Sequence, residues 1–426
     1  MIRNRYAILA LLTALNLVNY LDRYVVNAVA PKIQLALSLS NAQLGAVKGV
    51  FMVGYVLTSP LFGWLGDRKP RKLLIAAGVA AWSLATAASG LAGTLGLMLI
   101  ARAMVGVGEA SYATLSPTII DDLSPPARKN RWLAIFFVAT PIGSALGFLF
   151  GGVVDEHWGW RAAFLLAGGP GVVLAIGALL IAEPPRAAPA VARSGGAASV
   201  YRELAKNRLF AFAVAGYVAQ TFALGGFANW GVEFLYRRMG MDLTRADLAF
   251  GGVTVVTGLA GTALGGWLAD KWPGDDRARA AVMVCAWSSI VAAPIALAAL
   301  FMPTQATFIA ALGACQLVIF TSVAPTNAAV LLSVPATQRA SAMAVTILAI
   351  HVLGDILSPV VIGASADLFH DSPLRGSGGT GLLVGMTTLP LALAISGVLW
   401  WYGARTRAGA PAAALAEASG PVQSPR

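Results

Sequence analysis

The chain alternates between long apolar stretches and short polar segments along almost its whole length. Apolar runs of about 18 or more residues predict helices that span a membrane. Such runs lie at about 7–30, 43–66, 73–93, 95–121, 131–154, 162–182, 209–235, 246–270, 280–301, 305–332, 340–367 and 380–403. The pattern therefore predicts an all-α membrane protein with twelve transmembrane helices.

Two changes in composition divide the chain further. Residues 183–207 are rich in Pro, Ala, Gly and Arg, which is typical of a cytoplasmic linker. We therefore expect an N-terminal six-helix bundle at 1–182 and a C-terminal six-helix bundle at 208–404. The Ala-, Pro- and Ser-rich residues 405–426 are typical of a disordered cytoplasmic tail.

The overall composition agrees with a membrane protein. The 426 residues are 58% hydrophobic and 12% charged, with a mean hydropathy of +0.73. A soluble protein of this length could not bury so much apolar surface. The net charge of +11 does not indicate nucleic acid as a partner, because most basic residues fall on the side of the membrane that holds both termini. The positive-inside rule places that side in the cytoplasm.

Few ionisable residues fall well inside the predicted spans. They are Asp22, Arg23, Lys48, Arg102, Glu109, His351 and Asp355. A charge at the centre of a span costs roughly 2.5–3.5 kcal/mol on insertion scales, so such residues usually face a cavity or a partner. Lys48 lies near the outer end of helix two, where we expect it to reach the membrane interface. Glu233, near the outer end of helix seven, is expected to be an outer gate or interface residue.

A polar stripe follows one face of the first predicted helix. Its members, at steps of three and four residues, are Asn16, Asn19, Arg23 and Asn27. Asp22 lies about 100° around the helix from Arg23, so the two side chains reach different neighbours. We predict that the stripe lines a path for a solute headgroup, with Arg23 as the anion contact and Asp22 as a proton carrier. The alternative is an ion pair that packs helices together.

Two further helices carry polar pairs on a single face. Arg102 and Glu109 are seven residues apart in helix four, and Tyr112 extends their face. Glu109 stands among small residues and is predicted to carry protons, whereas Arg102 and Tyr112 are predicted to contact solute. His351 and Asp355, at i and i+4 in helix eleven, are predicted to take part in proton coupling. For Arg102, His351 and Asp355, purely structural hydrogen bonds or ion pairs are the alternative.

A basic loop with an aspartate follows the second predicted helix, and a similar segment follows the eighth. The first contains Gly63, Asp67, Arg68 and Arg71, and the second contains Asp270. The glycines let helices approach closely, and an aspartate accepts hydrogen bonds at a helix end. Two such loops at matching places resemble the cytoplasmic loop motif of the major facilitator superfamily. That resemblance implies that these five residues act in conformational gating.

Four stretches resemble one branch of that superfamily. They are Asn19–Arg23, Arg102–Tyr112, Ala139–Ser144 and His351–Gly363. These stretches are similar to the Spinster family, which implies two six-helix bundles around a central cavity. The resemblance further implies proton-coupled transport of amphipathic lipids such as lysophospholipids or sphingosine phosphate. Asp22, Arg23 and Glu109 would match the family's coupling acids and their arginine, and His351 its helix-eleven histidine.

The predicted function is secondary active transport of a lysolipid- or sphingolipid-like solute by alternating access, coupled to protons. An organic-anion/proton symporter and a multidrug exporter of the same superfamily are alternatives, and a lipid scramblase is an alternative of a different class. The sequence carries no metal-ligand cluster, nucleophile elbow or ATP-binding loop, so we expect no enzyme, metal or cofactor.

The expected partners are membrane lipids, protons and a small amphipathic or anionic solute. The absence of long extensions favours a bacterial member of the family. We therefore expect a monomer in the bacterial inner membrane, with both termini in the cytoplasm.

Overall fold

The computed structural model describes residues 1–125, 128–184, 197–273, 276–335 and 338–408. Its helices are α1 (Arg5–Ala28), α2 (Ala30–Ala36), α3 (Asn41–Arg68), α4 (Arg71–Leu91), α5 (Leu95–Leu123), α6 (Lys129–Trp158), α7 (Trp160–Leu179), α8 (Ala197–Lys206), α9 (Arg208–Glu233), α10 (Leu243–Lys271), α11 (Arg277–Leu300), α12 (Gln305–Phe320), α13 (Val323–Leu332), α14 (Arg339–Ile350), α15 (Leu357–Leu368) and α16 (Thr380–Ala408). A π-helical turn, Phe234–Arg238, continues α9, and a second, His351–Asp355, joins α14 to α15. The predicted all-α fold is confirmed.

Eleven helical segments of the described chain are long and apolar enough to cross a membrane. They are Asn41–Arg68, Arg71–Leu91, Leu95–Leu123, Ile135–Trp158, Trp160–Leu179, Arg208–Arg238, Leu243–Lys271, Ala278–Leu300, Gln305–Leu332, Ser341–Leu368 and Thr380–Arg405. The first helix, α1, has 24 residues but is not among them, because its asparagines and its Asp22–Arg23 pair lower its apolarity. With α1, each of the twelve predicted spans corresponds to helical structure.

Successive spans run in opposite directions, so α1 begins and α16 ends on one side of the bundle. We call that side the terminal side and the opposite one the far side. On the far side α3 begins at a capping box, in which Ser40 accepts from the Gln43 backbone and the Gln43 side chain accepts from the Ser40 backbone.

Each half of the chain packs mainly on itself. In the first half α1 packs on α6, α3 on α5 and α4 on α7, and in the second half α16 packs on α9 and α11. Between the halves, α3 contacts α15 and α6 contacts α10. The predicted linker lies between these halves; its residues 185–196 are outside the described part of the chain, and α8 occupies its end. Of the predicted tail, 409–426 also lie outside the described residues, while α16 reaches Ala408.

Candidate functional site

A cavity of about 80 Å³ lies between the two halves, near the middle of the spans. The first half contributes polar side chains from α1 and both Lys48 and apolar side chains from α3, and the second half contributes residues of α9 and of the π-helical turn His351–Asp355. The lining includes Arg23, Asn27, Lys48, Phe51, Asn229 and Asp355. Charged groups of both signs therefore meet an apolar wall in one partly open cavity.

Arg23 projects from α1 to the cavity and pairs with Glu109 of α5. Its Nη2 donates to Oε2 of Glu109 at 2.5 Å and its Nε donates to the same oxygen at 3.2 Å. The guanidinium also lies 4.9 Å from the ring centres of both Tyr20 and Phe51. The Arg23 side chain is 16% exposed whereas that of Glu109 is fully buried. An anion that enters from the cavity would therefore meet the arginine and not the acid.

Asp22 points away from Arg23, into the first half, as the helical spacing predicts. It faces Trp82 and Thr86 of α4, and the charges of Glu109 and Arg102 act on it. Neither oxygen of Asp22 and no nitrogen of the Arg102 guanidinium has a hydrogen-bond partner among the described residues, and both side chains are fully buried. An acidic and a basic side chain thus lie buried inside the first half without a direct bond between them.

The predicted stripe of α1 does not act as one surface. Asn16 donates to the Phe136 carbonyl of α6 at 3.0 Å, so its amide belongs to the packing of the first half. Asn19 is buried and its Nδ2 has no partner among the described residues. Asn27 lines the cavity and donates across the halves to the carbonyl of Ala228 at 3.2 Å. Of this stripe, Arg23 and Asn27 line the cavity.

Tyr112 lies deep in the first half and does not line the cavity. It is fully buried, stacks edge-on against Trp82, and donates through its hydroxyl to the carbonyl of Leu12 at 2.5 Å. Tyr112 therefore cannot reach a solute in the cavity in this conformation, although the sequence predicts that contact.

His351 and Asp355 meet at the π-helical turn, where Nδ1 of His351 lies 2.6 Å from Oδ2 of Asp355. Both side chains are partly exposed, at 20% and 25%, and Asp355 lines the cavity. Tyr55 of α3 places its ring edge-on to the histidine, with 6.0 Å between ring centres. Sequence spacing predicts the pair but not the π-helical turn, because a single wider turn leaves no mark in the hydrophobic pattern.

A buried ion pair between Lys48 and Glu233 joins the two halves on the far side. Lys48 of α3 also donates to the Asn229 carbonyl, and its ammonium lies 4.3 Å from the centre of the Trp230 ring. The prediction that Lys48 reaches the membrane interface is wrong: the side chain is fully buried, because an acid of the other half is within reach. Glu233 lies at the far-side closure, where an outer gate residue is expected.

Arg237 extends this closure towards the end of the bundle. It donates to Gln34 at 2.5 Å and to Asn41 at 2.6 Å, both in the first half. Asn41 in turn donates to Asp367 of α15, whose carboxylate also accepts from the backbone of Ala42 at 2.8 Å. In the sequence Arg237 falls just outside the predicted span 209–235, so a search for ionisable residues inside spans misses this network. The two polar residues Gln34 and Asn41 beside an outer helix end are the signal that could have found it.

The terminal-side residues that the loop motif singles out behave differently from one another. Arg71 is buried and pairs with Asp122 at 2.7 Å and Glu183 at 3.2 Å, all within the first half. Arg68 donates to the Trp64 carbonyl at 3.1 Å. Asp67 and Asp270 are exposed at the ends of α3 and α10.

The predicted close approach of helices at Gly63 is wrong. A methyl group added there would meet no atom nearer than 4.0 Å, whereas one at Gly66 would come within 2.3 Å of the Leu115 side chain. The tight packing at this end of α3 is therefore one turn further along, although the gating role of Gly63 stays a prediction.

The chain is similar to known proteins over most of its length. The model of the Major Facilitator Superfamily matches residues 12–359. Protein spinster of Drosophila melanogaster is 32% identical over 395 residues, which are 86% of this chain and 62% of that protein. The chain thus covers less than two thirds of that relative. Protein spinster homolog 1 of Homo sapiens is 34% identical over 386 residues, with 84% and 72% covered. The sphingosine-1-phosphate transporter SPNS2 of Xenopus tropicalis is 32% identical over 395 residues, with 88% and 76% covered.

A crystal structure of a bacterial homolog to the human lysosomal transporter Spinster, in an inward-facing and unoccupied conformation, superposes with a TM-score of 0.83. The superposition covers 95% of this chain and 98% of that chain at 22% identity. At that identity the likeness establishes the fold alone.

Proposed function

Because the chain belongs to the Spinster family of the major facilitator superfamily, we propose that it carries an amphipathic, lipid-like anion across the membrane in exchange for or together with protons. The chain is a secondary transporter and not an enzyme. The solute class that we propose is the lysolipid or sphingolipid type. The relative named as a sphingosine-1-phosphate transporter supports that class.

The observation that carries the proposal is the partly exposed guanidinium of Arg23 beside an apolar wall. A planar guanidinium binds phosphate or carboxylate with two parallel hydrogen bonds. Phe51 and Met52 of α3 give the cavity the apolar surface that a hydrocarbon chain needs. A solute with its anionic headgroup at Arg23 and its hydrocarbon chain along α3 would contact both the charged and the apolar part of the cavity.

The Arg23–Glu109 pair provides a simple route to proton coupling. Glu109 has one oxygen bound to Arg23, and its Oε1 has no partner among the described residues. When an anion takes Arg23, the carboxylate loses its cation inside an apolar bundle, where an unpaired charge is costly. Uptake of a proton by Glu109 removes that cost. Anion binding and proton binding therefore favour each other.

Asp22 and the His351–Asp355 pair are the further groups that we propose for the proton path. Asp22 is buried behind Arg23, and Asp355 reaches the same cavity from the second half. We propose that protons pass between the second and the first half across this cavity.

A second candidate, an organic-anion/proton symporter, is favoured by the cavity volume of about 80 Å³, which suits a headgroup but not a whole lipid. The two candidate functions differ in whether the solute must carry a hydrocarbon chain to bind. Thermal unfolding of the purified protein separates them, because a ligand present at 100 times its dissociation constant stabilises by about 2.7 kcal/mol. Stabilisation by a lysophospholipid but not by short carboxylates or glycerol phosphate supports the lipid-like solute.

The direct test is transport in proteoliposomes under an imposed proton gradient. Wild-type protein should move a labelled lysophospholipid faster when the gradient is present. Glu109→Gln should bind the lipid but lose the dependence on the gradient, because the amide keeps the shape and cannot carry the proton. Equal dependence in the variant would refute Glu109 as carrier. Lipid movement that occurs in both directions and is unaffected by proton uncouplers would identify a scramblase.

We further propose that the terminal side faces the cytoplasm, in a bacterial inner membrane, with the chain as a monomer. The excess of basic residues on the terminal side supports this orientation. Gly63, Asp67, Arg68, Arg71 and Asp270 would then control opening of the cytoplasmic side. A cysteine at Asn4, labelled by an impermeant reagent only in inverted vesicles, tests the orientation.

A further inference from the structure

Asp247 is a buried acid that neither the loop motif nor the cavity accounts for. It lies one turn into α10 and is fully buried, and neither of its oxygens has a hydrogen-bond partner among the described residues. A methyl group added at Gly152 of α6 would come within 2.7 Å of its Oδ2. The carboxyl therefore lies in the far-side seam between α6 of the first half and α10 of the second half.

The charged groups that act on Asp247 are acids. They are Glu233 of α9, Asp155 of α6 and Asp242 at the start of α10. The nearby cations are engaged elsewhere: Lys48 is paired with Glu233, and Lys32 acts on Asp155. Among the described residues, the seam therefore offers Asp247 neither a hydrogen-bond donor nor a counter-ion.

An ionised carboxylate in such a place is strongly unfavourable, and a carboxyl responds by taking up a proton. The same side chain would be hydrated once α6 and α10 separate on the far side, and a hydrated carboxylate keeps its charge. Closure of the seam and protonation of the carboxyl are thus linked through the desolvation of one group.

We propose that Asp247 is a proton-binding site of the far-side closure, occupied when α6 and α10 are in contact and vacated when they separate. One proton binds per closure and returns to the far-side solution on opening. The proposal rests on alternating access but not on the identity of the solute. It adds a proton-binding step that is separate from the cavity pair Arg23–Glu109.

The test measures the distance between spin labels at Glu156→Cys and Arg245→Cys, which are exposed near the far-side ends of α6 and α10. The native Cys285 and Cys315 are buried and are replaced by alanine. No solute is added, so a failure here is distinguishable from a wrong solute or a wrong role for Glu109. The purified labelled protein is titrated from acidic to alkaline pH at constant sodium, and then with sodium at constant pH.

In the parent protein the ratio of separated to closed seams should rise with pH, by up to about tenfold per pH unit, the limit for release of one proton. Asp247→Asn should remain closed at every pH, because the amide is neutral and of the same size. Asp247→Ser, also neutral and smaller, gives the same result if the asparagine variant does not fold. The matched variant Asp155→Asn, on the facing helix, should keep a pH response that is shifted to lower pH, because it removes one of the acids that act on Asp247. Three results would overturn the proposal. The distance in the parent protein could be independent of pH, or Asp247→Asn could respond to pH as the parent does. The distance could also respond to sodium and not to protons.

Discussion

Two of the buried ion pairs among the described residues each join a basic residue of one span to a glutamate of another span, and they differ in structure. Arg23–Glu109 lies within the first half and its arginine is 16% exposed, whereas Lys48–Glu233 joins the two halves and is closed to solvent, although Lys48 lines the same cavity. In a transporter that works by alternating access, two halves separate on one side at a time. Separation of the halves does not by itself break the first pair, which yields only to a bound anion, but the second pair must break whenever the far side opens.

This difference separates binding from gating. A pair inside one half is held by the same helices in every state, so its arginine can be offered to a solute. A pair between the halves contributes to the free-energy difference between the states. The neighbouring bonds of Arg237 and Asp367 add to the closed far side in the same way.

The largest effect should come from removing one member of the pair between the halves. Lys48→Ala leaves Glu233 buried without its cation, which typically costs about 3–5 kcal/mol. The free energy of the state with a closed far side should rise by an amount of that order. The change should be seen as a lower unfolding temperature or as a shift to the state with an open far side. The double variant Lys48→Met/Glu233→Leu should recover most of the loss, because no charge remains unpaired. A single variant as stable and as closed as wild type would show that the pair does not hold the halves.

The next effect concerns the pair at the cavity. Arg23→Ala should weaken binding of an anionic amphiphile by about 1.5–3 kcal/mol, the usual contribution of a hydrogen bond to a charged group. Arg23→Lys should recover only part of it, since an ammonium cannot make two parallel bonds. Equilibrium binding to purified protein measures this loss.

The same substitution tests a structural alternative. If Arg23 only neutralises Glu109, Arg23→Ala will misfold and Arg23→Ala/Glu109→Gln will recover both folding and binding. Normal binding and transport in Arg23→Ala alone would remove the arginine from the headgroup site.

A smaller effect should follow from packing at the far-side contact. A methyl group at Gly45 would come within 2.3 Å of the Pro359 carbonyl oxygen in the other half. Gly45→Ala should therefore disfavour the closed far side by about 1–3 kcal/mol, the usual cost of overpacking. Gly252→Ala, in α10 with no atom within 4 Å of an added methyl group, is the matched control and should leave the distribution of states unchanged. Equal shifts in both variants would contradict the assignment of the contact.

The smallest effect on binding is expected at Asp67, on the exposed terminal-side end of α3. Asp67→Asn should slow the transport cycle while solute affinity changes by less than about tenfold, or roughly 1.4 kcal/mol. Transport rates in proteoliposomes, set beside equilibrium binding, separate the two quantities. A larger loss of affinity would move Asp67 into the binding site.

Much of this comparison follows from the sequence, and part of it does not. The apolar runs predict the helices, and helical spacing predicts that Asp22 and Arg23 diverge, because both depend on local periodicity. The partner of Lys48 could not be predicted, since Glu233 is far away in sequence and only the packing of the halves brings them together. Asn16 has the spacing of a cavity residue, yet α6 supplies an acceptor for its amide first.

The most direct test compares two matched carboxyl-to-amide substitutions in one distance measurement. Labels at Leu35→Cys and Leu374→Cys, both exposed on the far side in different halves, report separation of the halves. Labels at Leu35→Cys and Leu97→Cys lie within the first half and should stay at a fixed distance. Glu233→Gln should lengthen the distance between the halves, while Glu109→Gln should leave it as in wild type. If Glu109→Gln lengthens it as much as Glu233→Gln, or if neither does, the division between a binding pair and a gating pair is wrong.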